Sequence, residues 1–160
     1  MGTRCSPADD AKVRNRRDDL TALLAGFVLV AALGVFHHAA LRGLRGMARP
    51  VESRPNRSIL VAFIGLLVIH TVEILAFALA FRALLEIPDI GSLSLKDGRV
   101  TWDDLVYFSG INFTTVGYTN IDASGPFRLI SMMQSLGGFM VLTWSATFLY
   151  SIWREALSAK

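Results

Sequence analysis

The chain alternates long apolar blocks with shorter polar segments. The apolar blocks cover residues 20–41, 58–85 and 127–153. The shortest block has 22 residues and would be ~33 Å long as a helix, which exceeds the ~30 Å hydrocarbon core of a bilayer. The pattern therefore predicts an all-α membrane protein with three transmembrane helices.

The segment between the second and third blocks is too polar to cross a membrane, yet it contains the signals of a further helix. Thr101 and Asp104 have the spacing of a capping box at a helix N-terminus, and Asp97-Gly98 is a turn signal before it. We predict a turret and a short helix over 86–113, followed by an extended segment over 114–120. Ser58 is the predicted N-cap of the second long helix. Irregular backbone is tolerated at membrane depth only where protein buries it or water lines it, so this order of elements predicts a re-entrant loop.

The extended segment carries a family resemblance. The run Thr115-Val116-Gly117-Tyr118 resembles the selectivity filter of tetrameric potassium channels, whose pattern is Thr-Val-Gly-Tyr-Gly-Asp. The resemblance covers about residues 58–155 and includes Asp104, the 107–109 run, Thr114, Ile121 and the Gly-Pro turn at 125–126. Two positions depart from the pattern, because Thr119 replaces the second glycine and Asn120 replaces the aspartate.

The resemblance implies a pore domain at 58–155, with an outer helix at 58–85, a pore helix within 86–113, a filter at 114–120 and an inner helix at 127–153. It implies that a homotetramer binds K⁺ at filter carbonyls, and that this is the chain's only metal site; no cofactor is expected beyond permeant K⁺ or Na⁺. The implied ion-coordinating residues are Thr115, Val116, Gly117, Tyr118 and Thr119. Trp102 and Asn120 are the implied supports of the filter, and Tyr118 would join Trp102 in bracing it.

Three functions follow, in order of preference. The first is the pore-forming subunit of a homotetrameric cation channel that passes K⁺. Because a β-branched residue resists positive φ, Thr119 is expected to alter the outer ion site, and a nonselective cation channel is the second function. A non-conducting, channel-like scaffold or regulatory subunit is the third. A membrane enzyme would need more histidines and carboxylates on facing helices, so no enzyme is predicted.

Four other groups of residues inside the apolar blocks are candidates for function. His70 and Glu73 share a helix face and form an intramembrane polar pair that locks two helices together or senses pH. His37-His38 are interpreted as interfacial residues rather than metal ligands. Gly137-Gly138 are either a gating hinge or a close helix contact. Thr143 and Thr147 line a water-filled cavity or bond a neighbouring helix.

Charge sets the expected topology. The 42–57 loop has five arginines, whereas 86–126 has two basic residues, so the positive-inside rule places 42–57 in the cytoplasm. The filter then faces outward in the plasma (inner) membrane, the C-terminus is cytoplasmic, and the polar 1–19 tail is outside if 20–41 is a retained span rather than a signal peptide. The net charge of +3 is modest, and no nucleic-acid binding is predicted. The apolar spans predict contact with membrane lipids, and the resemblance implies monovalent cations as partners.

Overall fold

A computed structural model describes residues 7–49, 51, 53–95 and 98–158 of the chain. Four helices and two short strands follow one another in this part of the molecule. In chain order they are α1 Pro7–Ala48, α2 Pro55–Leu84, β1 Ser92–Leu95, α3 Trp102–Phe113, β2 Ile121–Ser124 and α4 Phe127–Ser158. The predicted turn at Asp97-Gly98 lies partly outside the described residues.

Three of the helices are long and apolar enough to cross a membrane. Within the described residues these segments are Arg16–Ala48, Pro55–Leu84 and Phe127–Ser158, with mean hydropathies of 2.2, 2.5 and 1.3 over their most apolar windows. Only 17–28% of the residues in these windows are buried in the isolated chain, as expected for surfaces that contact lipid or further copies. The all-α prediction with three long apolar helices is confirmed.

The helices extend beyond the apolar blocks that revealed them. The backbone of α1 is already helical at 7–19, where the sequence suggested a tail, and it continues through 42–48, where it suggested a loop. Helix α2 begins at Pro55, whose missing N–H is tolerated in a first turn. Ser58 therefore lies inside the helix and donates to the Arg54 carbonyl at 3.1 Å instead of capping it. The hydropathy pattern locates the apolar part of a membrane-spanning helix. It does not show the polar turns by which the helix extends beyond that part.

Helices α1 and α4 run parallel, and α2 runs antiparallel to both. Contacts between α1 and α4 advance together along the two helices: Gly26 with Met133, Val30 with Gly137, His37 with Ser145, and Arg45 with Glu155. Contacts between α1 and α2 run in opposite directions, from Leu44 with Gly65 to His37 with Glu73. The Arg45–Glu155 ion pair, at 2.8 Å, joins α1 to α4 at the end of the bundle next to the arginine-rich 42–57 segment.

An aromatic cluster fills the opposite end of the bundle. The ring of Phe81 in α2 is fully buried and contacts Phe77, Phe108 of α3 and Phe127 of α4, with centroids 5.0–6.0 Å apart. Such tilted pairs add about 0.5–1.5 kcal/mol to their area burial. The cluster joins the three helices on which the 114–120 segment depends.

A buried hydrogen-bonded chain fastens α3 between α2 and α4. Gln134 Nε2 donates to Ser109 Oγ at 2.8 Å, and Ser109 Oγ donates to the Ile74 carbonyl at 2.8 Å. Both polar side chains are fully buried, where an unpaired polar group is costly. This link holds α3 at a fixed height beside the long helices.

The C-terminal end of α3 rests on a glycine of α4. A Cβ at Gly138 would lie 2.1 Å from the Phe113 carbonyl oxygen, and one at Gly137 would meet the side chain of Val30 at 2.8 Å. Both glycines are buried inside an uninterrupted helix. The close-contact role of Gly137-Gly138 thus has a structural basis in this conformation.

Two four-residue strands, β1 and β2, connect the segment after the loop with the segment before α3. The sequence pattern does not predict them. Strand β1 pairs antiparallel with β2, with Ser92 opposite Ser124 and Leu95 opposite Ile121. Gly91 has φ +111, and a Cβ there would lie 2.1 Å from the Ser124 carbonyl oxygen. Only glycine satisfies both constraints.

We expect Gly138→Ala to destabilise the protein by about 1–3 kcal/mol, the usual effect of overpacking, because the new methyl meets backbone rather than a side chain that can rotate. Thermal unfolding in detergent measures the change. Gly43→Ala is the matched control, since nothing lies within 4 Å of its new methyl. Equal stability of the two variants would contradict the close contact.

Candidate functional site

The predicted capping box is present at the start of the short helix α3. The Asp104 backbone N–H donates to Thr101 Oγ1 at 3.5 Å, and the Thr101 backbone N–H donates to Asp104 Oδ2 at 2.8 Å. Thr101 Oγ1 also donates to Asp104 Oδ2 at 2.6 Å. The side-chain and backbone hydrogen bonds from Thr101 lower the pKa of Asp104 below its usual value.

The other end of α3 closes with a Schellman motif, in which N–H groups after the helix bond back to its last carbonyls. The Thr115 N–H donates to the Asn112 carbonyl at 3.0 Å, and the Val116 N–H donates to the Ile111 carbonyl at 3.1 Å. The motif requires a left-handed residue, and Thr115 takes that position with φ +58. A non-glycine residue there costs roughly 1–2 kcal/mol, so the helix end stores strain at Thr115.

Positive φ recurs two residues later. Gly117 has φ +70, whereas Val116 between them does not have positive φ. Extended chains with φ of one sign point successive carbonyls in opposite directions, and alternating the sign of φ turns them toward the same side. The sign of φ therefore alternates along the backbone from 115 to 117.

Thr119, which stands where the family pattern has its second glycine, carries no backbone strain of the positive-φ kind. Its φ is not positive, and its Oγ1 accepts a hydrogen bond from the Ile121 N–H at 3.1 Å. The strain lies at Thr115 instead, because the Schellman motif places the left-handed residue there. Thr119 Oγ1 connects the loop to the first residue of β2.

The loop side chains have few partners within one chain. Val116 is 63% exposed and Tyr118 84% exposed, and Asn120 is exposed as well. Among the described aromatic pairs, none contains Trp102 or Tyr118. A cleft of about 540 Å³ separates Tyr118, Thr119 and Asn120 from Tyr107 of α3.

A second polar site lies where α1, α2 and α4 meet, and we call it the His–Glu cluster: His37, His70 and Glu73. His37 Nδ1 donates to Glu73 Oε1 at 2.8 Å, and His70 Nδ1 donates to Glu73 Oε2 at 2.8 Å. The two imidazole rings stack with centroids 5.6 Å apart at 13°. His37 and Glu73 are fully buried, and the His70 side chain is 16% exposed.

The interfacial interpretation of His37 is wrong, because the α1–α2 contact draws it into the bundle while His38 remains exposed. Side chains at adjacent helix positions point about 100° apart, so only one of the two histidines can face the bundle. The sequence alone does not show which one does. His37 Nε2 lies 3.3 Å from Ser145 Oγ of α4. The sequence pattern predicts the pairing of His70 with Glu73, but it does not predict four further partners in the buried networks: His37, Ser145, Ser109 and Gln134.

Thr143 and Thr147 lie on an exposed face of α4. The Thr143 hydroxyl donates to the Phe139 carbonyl, and the Thr147 hydroxyl donates to the Thr143 carbonyl at 3.1 Å. Both hydroxyls are thus satisfied within α4, and among the residues that the structure describes neither bonds another helix. The face remains available to solvent or to a further copy.

Comparison with known families identifies the class of protein. A family model described as an ion channel matches residues 68–155, which is just over half of the chain. The matched region runs from the middle of α2 through α3 and the loop to the end of α4. No curated protein and no solved structure matches the chain. The chain belongs to the ion channel family, and it is a membrane protein of the pore-forming class.

We expect Thr101→Ala to destabilise the protein by about 1 kcal/mol at neutral pH, as loss of an N-cap does. Because the folded-state pKa of Asp104 is depressed, its contribution is present above the usual value of 3.8 and is lost as the pH falls through the lower folded value. The stability difference between wild type and Asp104→Asn should therefore shrink on acidification. Thermal unfolding as a function of pH measures it, and a difference that grows toward acid would contradict the capping box.

We expect His37→Ala to destabilise the protein by about 2–3 kcal/mol, because it empties a buried site and removes a hydrogen-bond partner of Glu73. His38→Ala is the matched control at the next position and should change stability by no more than about 0.5 kcal/mol. Thermal unfolding of both in the same detergent compares them. A larger effect at His38 would show that the helix faces are assigned wrongly.

Proposed function

We propose that this chain is the subunit of a homotetrameric cation channel that passes K⁺ through the backbone carbonyls of 115–119. The observation that carries the proposal is the alternation of φ at Thr115, Val116 and Gly117, directly after a capped helix that ends beside Gly138. An ion entering a bilayer loses water, and a ring of carbonyl oxygens replaces it. One chain supplies one segment of that ring, so closed cyclic symmetry of four copies is required.

The exposure of the loop supports assembly. Val116 and Tyr118 are large apolar side chains with most of their surface uncovered. In a tetramer their side chains would be covered by neighbouring copies while the carbonyls face the axis. Trp102, 46% exposed at the start of α3, would then meet Tyr118 of another copy rather than its own.

The depth of α3 supports a re-entrant loop. Helix α3 runs ~18 Å from Trp102 to Phe113, and Phe113 lies beside Gly138, 11 positions after the start of α4. The loop would thus begin near mid-membrane and return through β2 to the outer surface, opposite the arginine-rich 49–57 segment in the cytoplasm. The exposed face with Thr143 and Thr147 would line the cavity below it, and Gly137-Gly138 would also act as a hinge in gating.

Asn120 favours weaker selectivity than the family pattern provides. It replaces a carboxylate that would attract cations and brace the loop by a charged hydrogen bond. The Thr119 hydroxyl supplies a substitute tie, at 3.1 Å from the Ile121 N–H. A nonselective cation channel is the second candidate function, and a non-conducting regulatory subunit is the third.

We expect purified protein in liposomes to carry K⁺ flux that exceeds Na⁺ flux, and Gly117→Ala to reduce it at least about tenfold. A side chain at φ +70 costs roughly 1–2 kcal/mol in each copy, which is enough to change the loop conformation. Gly43→Ala is the control, because its site is helical and open. Unchanged flux in Gly117→Ala would contradict conduction through the loop.

The double substitution Thr119→Gly with Asn120→Asp separates the candidate functions. If the native channel selects K⁺, the variant should keep its selectivity. If the native channel passes K⁺ and Na⁺ equally, the variant should gain a preference for K⁺. If the native protein forms tetramers without flux, current that appears only in the variant would support the regulatory subunit.

A further inference from the structure

We propose that the His–Glu cluster is a binding site for a divalent first-row transition-metal ion, for which Zn²⁺ is the probe. The site links α1 to α2 within the bundle, and it is separate from the loop at 115–119. It depends only on the contacts between these helices and not on the conduction of ions.

The distances of the cluster suit a single ion. Each of its three residues offers a ligand atom, and these atoms all lie within 4.8 Å of one another. Two nitrogen–oxygen pairs are 2.8 Å apart. Zinc binds nitrogen and oxygen at ~2.0–2.2 Å, so its ligand atoms are ~3–3.5 Å apart. The two nitrogen–oxygen pairs are already near that spacing, and no pair of ligand atoms would need to close by more than ~1.5 Å to reach it.

The donor set selects the kind of ion. Two imidazole nitrogens and one carboxylate form a ligand set that proteins use for zinc and for other divalent transition metals with an open coordination position. Ca²⁺ and Mg²⁺ prefer oxygen ligands throughout. We therefore expect Zn²⁺ and Co²⁺ to bind, and Ca²⁺ and Mg²⁺ not to compete.

Two side chains of α4 contact His37 and would orient it as a metal ligand. When Nδ1 binds a metal, the ring proton lies on Nε2, and Ser145 Oγ at 3.3 Å is placed to accept it. Trp144 packs on His37, with ring centroids 5.6 Å apart. Such partners orient the ligand, and their loss typically weakens metal binding about 10–100-fold.

Charge and access also favour an ion. The described partners of the Glu73 carboxylate are the two imidazoles, so with neutral rings the buried site has one negative charge. A divalent ion with one hydroxide or chloride ligand would make it neutral, which lowers the cost of burial. Glu73 borders a cleft of about 220 Å³ between α1 and α2 that is otherwise lined by apolar side chains. This cleft has room for the additional ligand.

The test is Zn²⁺ titration of the purified, metal-free protein in detergent against a chelating dye. All variants carry Cys5→Ser, since Cys5 is the only thiol in the sequence. We expect one Zn²⁺ per chain, at least about 100-fold weaker binding in His70→Ala and in Glu73→Gln, and unchanged binding in His38→Ala. Ser145→Ala should weaken binding about 10–100-fold.

Two further readouts do not rely on competition with a dye. Co²⁺ added to the unsubstituted cluster should give the visible absorption of a four- or five-coordinate nitrogen–oxygen site. Saturating Zn²⁺ should raise the unfolding temperature by mass action, and more in His38→Ala than in His70→Ala. Absence of Zn²⁺ binding to the folded protein, or equal binding in His38→Ala and His70→Ala, would overturn the proposal. Neither result depends on ion flux, so failure here leaves the channel proposal intact.

Discussion

The approach of α4 to the Phe113 carbonyl at Gly138 is the contact on which the rest of the site depends. It sets the height at which α3 ends, and therefore the height at which the backbone leaves helical geometry. Beyond that point the chain has no helix of its own to satisfy its polar groups, which is tolerated at membrane depth only beside protein or water. A larger residue at 138 would move the end of α3 and the start of the loop together.

The loop is held at both ends by backbone hydrogen bonds and free along one side. The Schellman motif fixes Thr115 and Val116 to the end of α3, and the β1–β2 pairing fixes Ile121 and the residues after it. Between these anchors the side chains of Val116 and Tyr118 project from the chain. In the tetramer that we propose, further copies would cover these uncovered apolar side chains.

Much of this organisation can be predicted from local sequence signals. Apolar runs predict the long helices, the spacing of Thr101 and Asp104 predicts the start of α3, and the run over 115–118 indicates an ion channel. Contacts between distant segments could not be predicted in this way. The burial of His37 depends on the register of α1 against α2, and the strain at Thr115 depends on how α3 ends. The pairing of β1 with β2 depends on two four-residue segments that carry no strong pattern of their own.

The measurement that tests the central claim most directly is planar-bilayer recording of Asn120→Cys in a Cys5→Ser background. A membrane-impermeant, positively charged thiol reagent is added to each side in turn. If the loop lines the mouth of a pore, single-channel current should fall when the reagent is on one side and remain unchanged when it is on the other. Stable current after complete labelling of the cysteine would contradict conduction through this loop.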